Sequence, residues 1–413
     1  MKSLQRFSSN KEQYHVNFNQ DNSCLVVSTR EGFKIFHCDS HTCCYEDESA
    51  AVSVVEMLFC TSLLVLVGAG EQPAMSPRRL RVMNTSNRTC IANLSFASSV
   101  LAVRLNLHRL VVVLERKTLV HHLNTLEVMR VIDTPPNPKG IGALSPSSEQ
   151  CYYALPNSAD AGMILVFDCL QLQARCELRA HRAPLECLAF NSDGTLLASA
   201  SEKGTIIRVH LLPQATKAFT FRRGSYPTTI HSLCFSPPNI HPPLLSASSS
   251  KGTVHVFKLE EQQRSSGVAG LGGGLLASVI PFQIDDVVDS ARCFATIRLP
   301  VTGVPTMCAI VPSRQSSEAT NNDMSASASS SSSTDSVRVL AVTATGYFYE
   351  YTMRGLDSPG GPECNLETES ILHHSSSEGG PSAARWLDGD MSEKPLGASF
   401  MDEPLSTSIL LSP

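Results

Sequence analysis

Residues 185–212 read LECLAFNSDGTLLASASEKGTIIRVHLL, and residues 230–259 read IHSLCFSPPNIHPPLLSASSSKGTVHVFKL. Each opens with a short run of alternating apolar residues and turns through Asn, Asp, Pro or Ser. A second run then carries Ser-Ala-Ser, the chain turns again at Lys-Gly, and a third alternating run follows. Alternation with a period of two marks strands buried on one face, and the residues between the runs are those that tight turns favour. Residues 15–39, HVNFNQDNSCLVVSTREGFKIFHCD, have the same form. With Phe18, Phe190 and Phe235 aligned, the last two lie 45 residues apart and the first two 172, which is four units of 43. A repeat of that length made of short strands predicts an all-β chain, a β-propeller with one four-stranded sheet per blade.

The intervening sequence supplies the remaining blades. VSVVEMLFCTSLLVLVGAG (52–70), SSVLAVRLNLHRLVVVLERKTLVHHL (98–123) and GIGALSPSSEQCYYALPNSADAGMILVFDC (140–169) fit blades two to four, and VRVLAVTATGYFYEYTM (337–353) closes the last. The expectation is a seven-bladed propeller of WD-repeat type over residues 12–352. Three segments fall outside it: an insertion at 260–292 within blade six, a serine-rich loop at 313–336, and an acidic tail at 353–413. The loop and the tail are too polar to bury a core and are expected to be disordered.

The bulk properties narrow the function classes. The 413 residues are 42% hydrophobic and 17% charged, a globular composition. There is neither a long apolar run nor an apolar core near the N-terminus, so a cytoplasmic protein without membrane spans is expected. Net charge is −5, but residues 353–413 carry ten Asp/Glu and three Lys/Arg, leaving the rest near +2. Such a mild balance gives no nucleic-acid footprint, so any anion site is local. The 14 cysteines are scattered and read mostly as small buried hydrophobes. The cluster HCDSHTCC, with His37, Cys38, His41, Cys43 and Cys44, lacks paired C-x-x-C spacing, and no metal is expected there. GLGGG at 270–274 lacks the strand and helix of a nucleotide loop, and no G-x-S-x-G or H-E-x-x-H appears, so neither an enzyme nor a cofactor is expected.

FTFRRGSY at 219–226 carries the functional signal. Neighbouring side chains on a strand point to opposite faces, so Arg222 and Arg223 serve two different grooves. Around the first stand His181, Ser199, Ser201, Lys203, Thr205 and Arg208; around the second, Ser249, Thr253 and His255. Each set joins a guanidinium to hydroxyls, a histidine and a Lys-Gly turn with open N–H groups, which is phosphate-binding chemistry. Gly224 is read as the residue that lets the backbone turn away between the two. The competing reading gives these side chains to internal strand ties and solvated surface.

FRRG in this setting, with ASASEKGTIIRV, SASSSKGTVHVFKLE, TPPNPKGIGAL and RCFATIRLP, resembles the PROPPIN family, the WD-repeat proteins interacting with phosphoinositides (WIPI). The resemblance implies a monomeric peripheral membrane protein of autophagy. It would bind phosphatidylinositol 3-phosphate and the 3,5-bisphosphate through two rim sites and be recruited to preautophagosomal and endosomal membranes. It implies site one at His181, Ser199, Ser201, Lys203, Thr205, Arg208 and Arg222, and site two at Arg223, Ser249, Thr253 and His255. It further implies that the blade-six insertion enters the bilayer through Leu275, Leu276, Val279, Ile280, Phe282 and Ile284. Family members also recruit autophagy conjugation machinery through a basic groove near blades two and three. Arg104 and Arg109 suit that groove, whereas Asn124 and Glu127 stand where basic residues are expected. The rival class is a WD-repeat scaffold that binds only proteins.

Overall fold

Each alternating run forms a strand, and successive strands pair antiparallel in chain order into seven sheets. The computed structural model describes residues 15–29, 31–260, 291–314, 336–358 and 361–372. Blade one comprises Val16–Phe18, Cys24–Ser28, Phe33–His37 and Cys43–Asp47. The other six sheets span 52–95, 102–133, 143–181, 185–222, 230–298 and 306–371. The first strands of neighbouring blades meet around the ring, those of blades one and two through Asn17 Nδ2 donating to Glu56 Oε2 at 2.9 Å, so these strands ring the axis and the fourth strands form the rim.

Apolar clusters lie between blades, because the alternating side chains of one sheet meet those of the next. Between blades five and six, Ile207, Val209 and Phe221 pack with Leu245, Ala247 and Phe257. The Phe221 and Phe257 rings stack with centroids 4.8 Å apart. Blades one and seven meet in the same way, through Val16, Phe18 and Val27 against Ala309, Val311 and Val342. Blades one and seven are each built from four consecutive strands of their own, so the ring closes by side-chain packing without strand exchange between them. Polar contacts reinforce that junction. Buried Arg338 of blade seven pairs with Glu350 at 3.1 Å and with Asp39 of blade one, while His41 of blade one reaches Glu350 at 2.9 Å.

Two outer strands depart from the expectation. Glu363–Ile371 is the fourth strand of blade seven, so the propeller runs past the boundary drawn at residue 352. Its sequence ECNLETESI sits at the solvated rim and lacks apolar alternation, which is why its composition reads as tail. Blade five gains a fifth strand, Ala291–Arg292, which pairs parallel to Thr216–Arg222 with Arg292 beside Arg222. The serine-rich stretch at 315–335 and the tail beyond residue 372 lie outside the described residues.

Candidate functional site

The strand Thr216–Arg222 is the antiparallel outer strand of blade five, and its register sorts the expected residues by face. Ser199 opposes Arg208, Arg208 opposes Thr220, and Ile206 opposes Arg222. Opposed residues share a face and the face repeats every second residue, so Ser199, Ser201, Arg208 and Arg222 line one side. Leu197 lies on that side and packs with Tyr152, Ala154 and Ile164 of blade four. Phe221 faces blade six. The two arginines therefore leave the strand in opposite directions, Arg222 toward the blade-four groove and Arg223 toward the blade-six groove.

In the first groove, Arg208 Nη1 donates to the Ala180 carbonyl at 2.6 Å and lies 3.1 Å from His181 Nδ1. A guanidinium has no acceptor, so Nδ1 carries the lone pair and Nε2–H donates to Ser199 Oγ at 3.0 Å. His181, Ser199 and Ser201 are buried, Arg208 and Thr205 are half-buried, and Arg222 and Lys203 are exposed. Arg222 Nη2 donates to Ser225 Oγ at 3.2 Å. The groove thus has an inner tier of tied polar groups and an outer tier of exposed cations.

In the second groove, buried Arg223 is clamped by two carbonyls, Nε to Gly204 at 2.8 Å and Nη2 to Tyr226 at 2.5 Å. Ser249 Oγ lies 2.9 Å from Thr253 Oγ1, which lies 3.2 Å from His255 Nε2. The other ring nitrogen, Nδ1, lies 3.1 Å from Thr296 Oγ1. Burial, helped by the Arg223 charge, pushes the His255 pKa down to about 4, so the ring is neutral at cellular pH. Burial also lowers the pKa of the Arg223 guanidinium.

Several expectations are corrected. Gly224 is not required by the turn: a Cβ there meets nothing within 4 Å. The demanding glycines are Gly204 (φ +56°) and Gly252 (φ +67°) in the two Lys-Gly turns. Their N–H groups close those turns onto the Ser201 and Ser249 carbonyls at 2.8 and 3.0 Å, so neither is open to a ligand. Arg104 and Arg109, expected together in a basic groove near blades two and three, do not line one groove. Arg104 lines a central channel of about 630 Å³ and donates to the Val103 and Gly142 carbonyls. Arg109 is buried, with Nε on the Cys169 carbonyl of blade four at 2.9 Å. Both arginines sit on the inner two strands of blade three, where the first and second strands face the axis and the core rather than the rim. Leu275, Leu276, Val279, Ile280, Phe282 and Ile284 lie outside the described residues.

The structure adds residues that the repeat comparison does not reach. Thr296 and Arg298, on the outer strand Ala295–Arg298 of blade six, oppose His255 and Thr253 and join the second groove. The insertion displaces them from their repeat position, and only the motif RCFATIRLP signalled them. Arg292 joins the first groove through its pairing with Arg222. Tyr226, 74% exposed, stands at the same rim with Lys251 Nζ 5.3 Å from its ring centre. No group of three or more His, Cys, Asp or Glu suited to a metal occurs among the described residues.

Comparisons with known proteins agree with this architecture. The family model described as PROPPIN matches residues 14–316. Autophagy-related protein 18b of Arabidopsis thaliana is 43% identical over 347 residues, covering 82% of this chain and 90% of that one. WD repeat domain phosphoinositide-interacting protein 2 of Gallus gallus is 38% identical over 371 residues, covering 86% and 78%. The crystal structure of Kluyvelomyces marxianus Hsv2 superposes with a TM-score of 0.64 at 18% identity, covering 87% of this chain and 99% of that one.

Proposed function

The chain belongs to the PROPPIN family, and from that premise we propose that it is a phosphoinositide effector of autophagy. It binds phosphatidylinositol 3-phosphate and the 3,5-bisphosphate at two rim sites and is recruited peripherally to preautophagosomal and endosomal membranes, where it supports autophagosome formation. The observation that carries this reading is the divergence of Arg222 and Arg223 into two grooves, each lined by serine, threonine and histidine. The printed name of the Gallus gallus relative supports the ligand class. Among the described residues no helix is long and apolar enough to cross a membrane, consistent with peripheral recruitment.

Each groove contributes differently. In the first, the exposed Arg222, Lys203 and Arg292 meet the headgroup while His181 and Ser199 hold Arg208 in place. In the second, Arg223 is fixed by its carbonyl clamp and sets a positive field over the hydroxyls of Ser249, Thr253 and Thr296. A phosphate entering there offsets the Arg223 charge, which raises the His255 pKa and favours proton uptake. Two weak sites on one rigid rim engage a single bilayer, so the second contact is intramolecular and avidity multiplies. The insertion leaves blade six at residue 260 and returns at Ala291–Arg292, with Arg292 beside Arg222, next to the proposed membrane face. Tyr226, exposed on that rim, suits the headgroup layer.

Flotation with vesicles containing phosphatidylinositol 3-phosphate tests the reading. Losing one charge-assisted arginine contact costs about 1.5–3 kcal/mol, or about tenfold to a hundredfold in affinity. Arg222→Ala and Arg223→Ala are each expected to weaken flotation by that order, and the double variant to abolish it, with circular dichroism unchanged. A folded double variant that floats as well as the wild type would sink the two-site proposal and favour a protein-binding scaffold.

A further inference from the structure

The HCDSHTCC stretch does not converge on one point. Cys38 is buried at the ring closure, His41 turns to Glu350, and the Cys43 thiol lies 3.5 Å from the Tyr45 carbonyl. Cys44 goes elsewhere: its thiol contacts that of Cys24, which in turn contacts that of Cys60. Cys24 begins the second strand of blade one, and Cys60 follows the first strand of blade two. Asn19 bridges the two, accepting from the Cys24 N–H at 3.0 Å and donating through Nδ2 to Cys60 Sγ at 3.6 Å. Ser23 Oγ stands 2.8 Å from the same sulfur. Cys60 is exposed and Cys24 is buried, so one sulfur meets solvent and the other waits beneath it.

We propose that Cys60 and Cys24 form an oxidation site: a hydroperoxide oxidises Cys60, and Cys24 resolves the product into a disulfide that ties blade one to blade two. The Cys60 thiolate attacks the peroxide, the O–O bond breaks, and the alcohol or water leaves. With a solvent proton this gives the sulfenic acid. The Cys24 sulfur then attacks the Cys60 sulfur, the S–O bond breaks, and water departs with the Cys24 proton. The peroxide gains two electrons and each thiol loses one.

Geometry selects this pair. Cys24 and Cys44 sit two strands apart, about 9.6 Å at ordinary strand spacing, beyond the roughly 7 Å between Cα atoms that a disulfide spans. Cys60 is also the better thiolate. The single Cys24 S–H serves one sulfur at a time, and Cys60 has Asn19 Nδ2–H as a further side-chain donor, whereas Ser23 Oγ gives its own proton to Asp21 Oδ1. Hydrogen bonding, first from Cys24, draws the Cys60 pKa down to about 6 against its partial burial. Where thiols are kept reduced, such a bond would be transient, as a redox-responsive disulfide is.

Competitive alkylation of the full-length protein, with peptide mass spectrometry, reads the first step. Cys60 should react about three times faster than an unstructured reference peptide whose thiol has the ordinary pKa of about 8.5 at pH 7, and about ten times faster at pH 6, since a lower pKa raises the thiolate fraction more than it lowers nucleophilicity. Hydrogen peroxide should then yield a Cys24–Cys60 cross-linked peptide, kept in Cys44→Ser and absent in Cys60→Ser. Equal alkylation of Cys60 and the reference peptide, a disulfide between a different pair, or sulfonic acid alone would overturn the proposal. So would a bound zinc ion that shields all three thiols.

Discussion

At Gly204 the backbone runs with φ of +56°, and a Cβ built there would stand 1.8 Å from the Thr228 carbonyl oxygen. The same glycine's carbonyl receives Arg223 Nε at 2.8 Å, so one residue closes the turn and aims the arginine. Gly204→Ala therefore forces the turn to shift. The expected cost is about 1–3 kcal/mol of strain, seen as a fall of several degrees in melting temperature. Because Arg223 moves with its clamp and Lys203 of the first groove lies in the same turn, both grooves should lose affinity, so Gly204→Ala should weaken flotation at least as much as Arg223→Ala. Gly224→Ala serves as the control, since its Cβ meets nothing within 4 Å and both readouts should stay near the wild type. The FRRG motif thus signals the arginines in the sequence, but its glycine is not the one the geometry uses. The difference arises because steric demand depends on what lies across the groove, which residue spacing does not contain.

The outer strand of blade five holds both arginines, and its attachment to the ring is a packing matter. Phe221, 2% exposed, lies between them and the core, stacked on Phe257 of blade six, which is 0% exposed. Phe221→Ala removes that contact and leaves a cavity, at a cost of about 3–5 kcal/mol. Urea unfolding should show the loss, and hydrogen exchange should rise most along 216–223, since a strand at the rim has few other apolar anchors. The same distinction between inner and outer strands governs what the sequence discloses. Inner and middle strands such as Cys24–Ser28 and Leu63–Gly68 are buried on both faces and announce themselves as apolar runs, so the blades are legible. Outer strands such as Glu363–Ile371 touch water and read as tail, and the two-residue Ala291–Arg292 is too short to show any pattern. Thr296 and Arg298 enter the second groove only through pairing across a 30-residue interruption, a relation that the repeat length cannot express.

Across the whole ring, a net charge of −5 conceals local positive fields, and buried histidines register them. His15, His210 and His255 are each pushed down to about 4, chiefly by burial and then by Arg104, Arg208 and Arg223 respectively. In the unfolded chain these rings take up protons near pH 6.5. As pH falls from about 6.5 toward 4, the unfolded state therefore binds protons that the native state refuses, and the fold loses stability. Buried Glu56 acts in the opposite sense. Burial raises its pKa to about 7 despite Arg104 and the Asn17 hydrogen bond, so between about 7 and 4.5 the native state holds a proton that the unfolded chain lacks. Three histidines against one carboxyl leave a net uptake on unfolding of nearly two protons, worth about 2 kcal/mol per pH unit around pH 5.5. His41, His121 and His231, also lowered mainly by burial, push the same way. Urea denaturation at pH 7, 6 and 5 should thus show a midpoint that falls, slowly at first and steeply below pH 6. His255→Gln should flatten the slope by about one proton, and a midpoint that rose on acidification would mean that Glu56 dominates the buried charge of the ring.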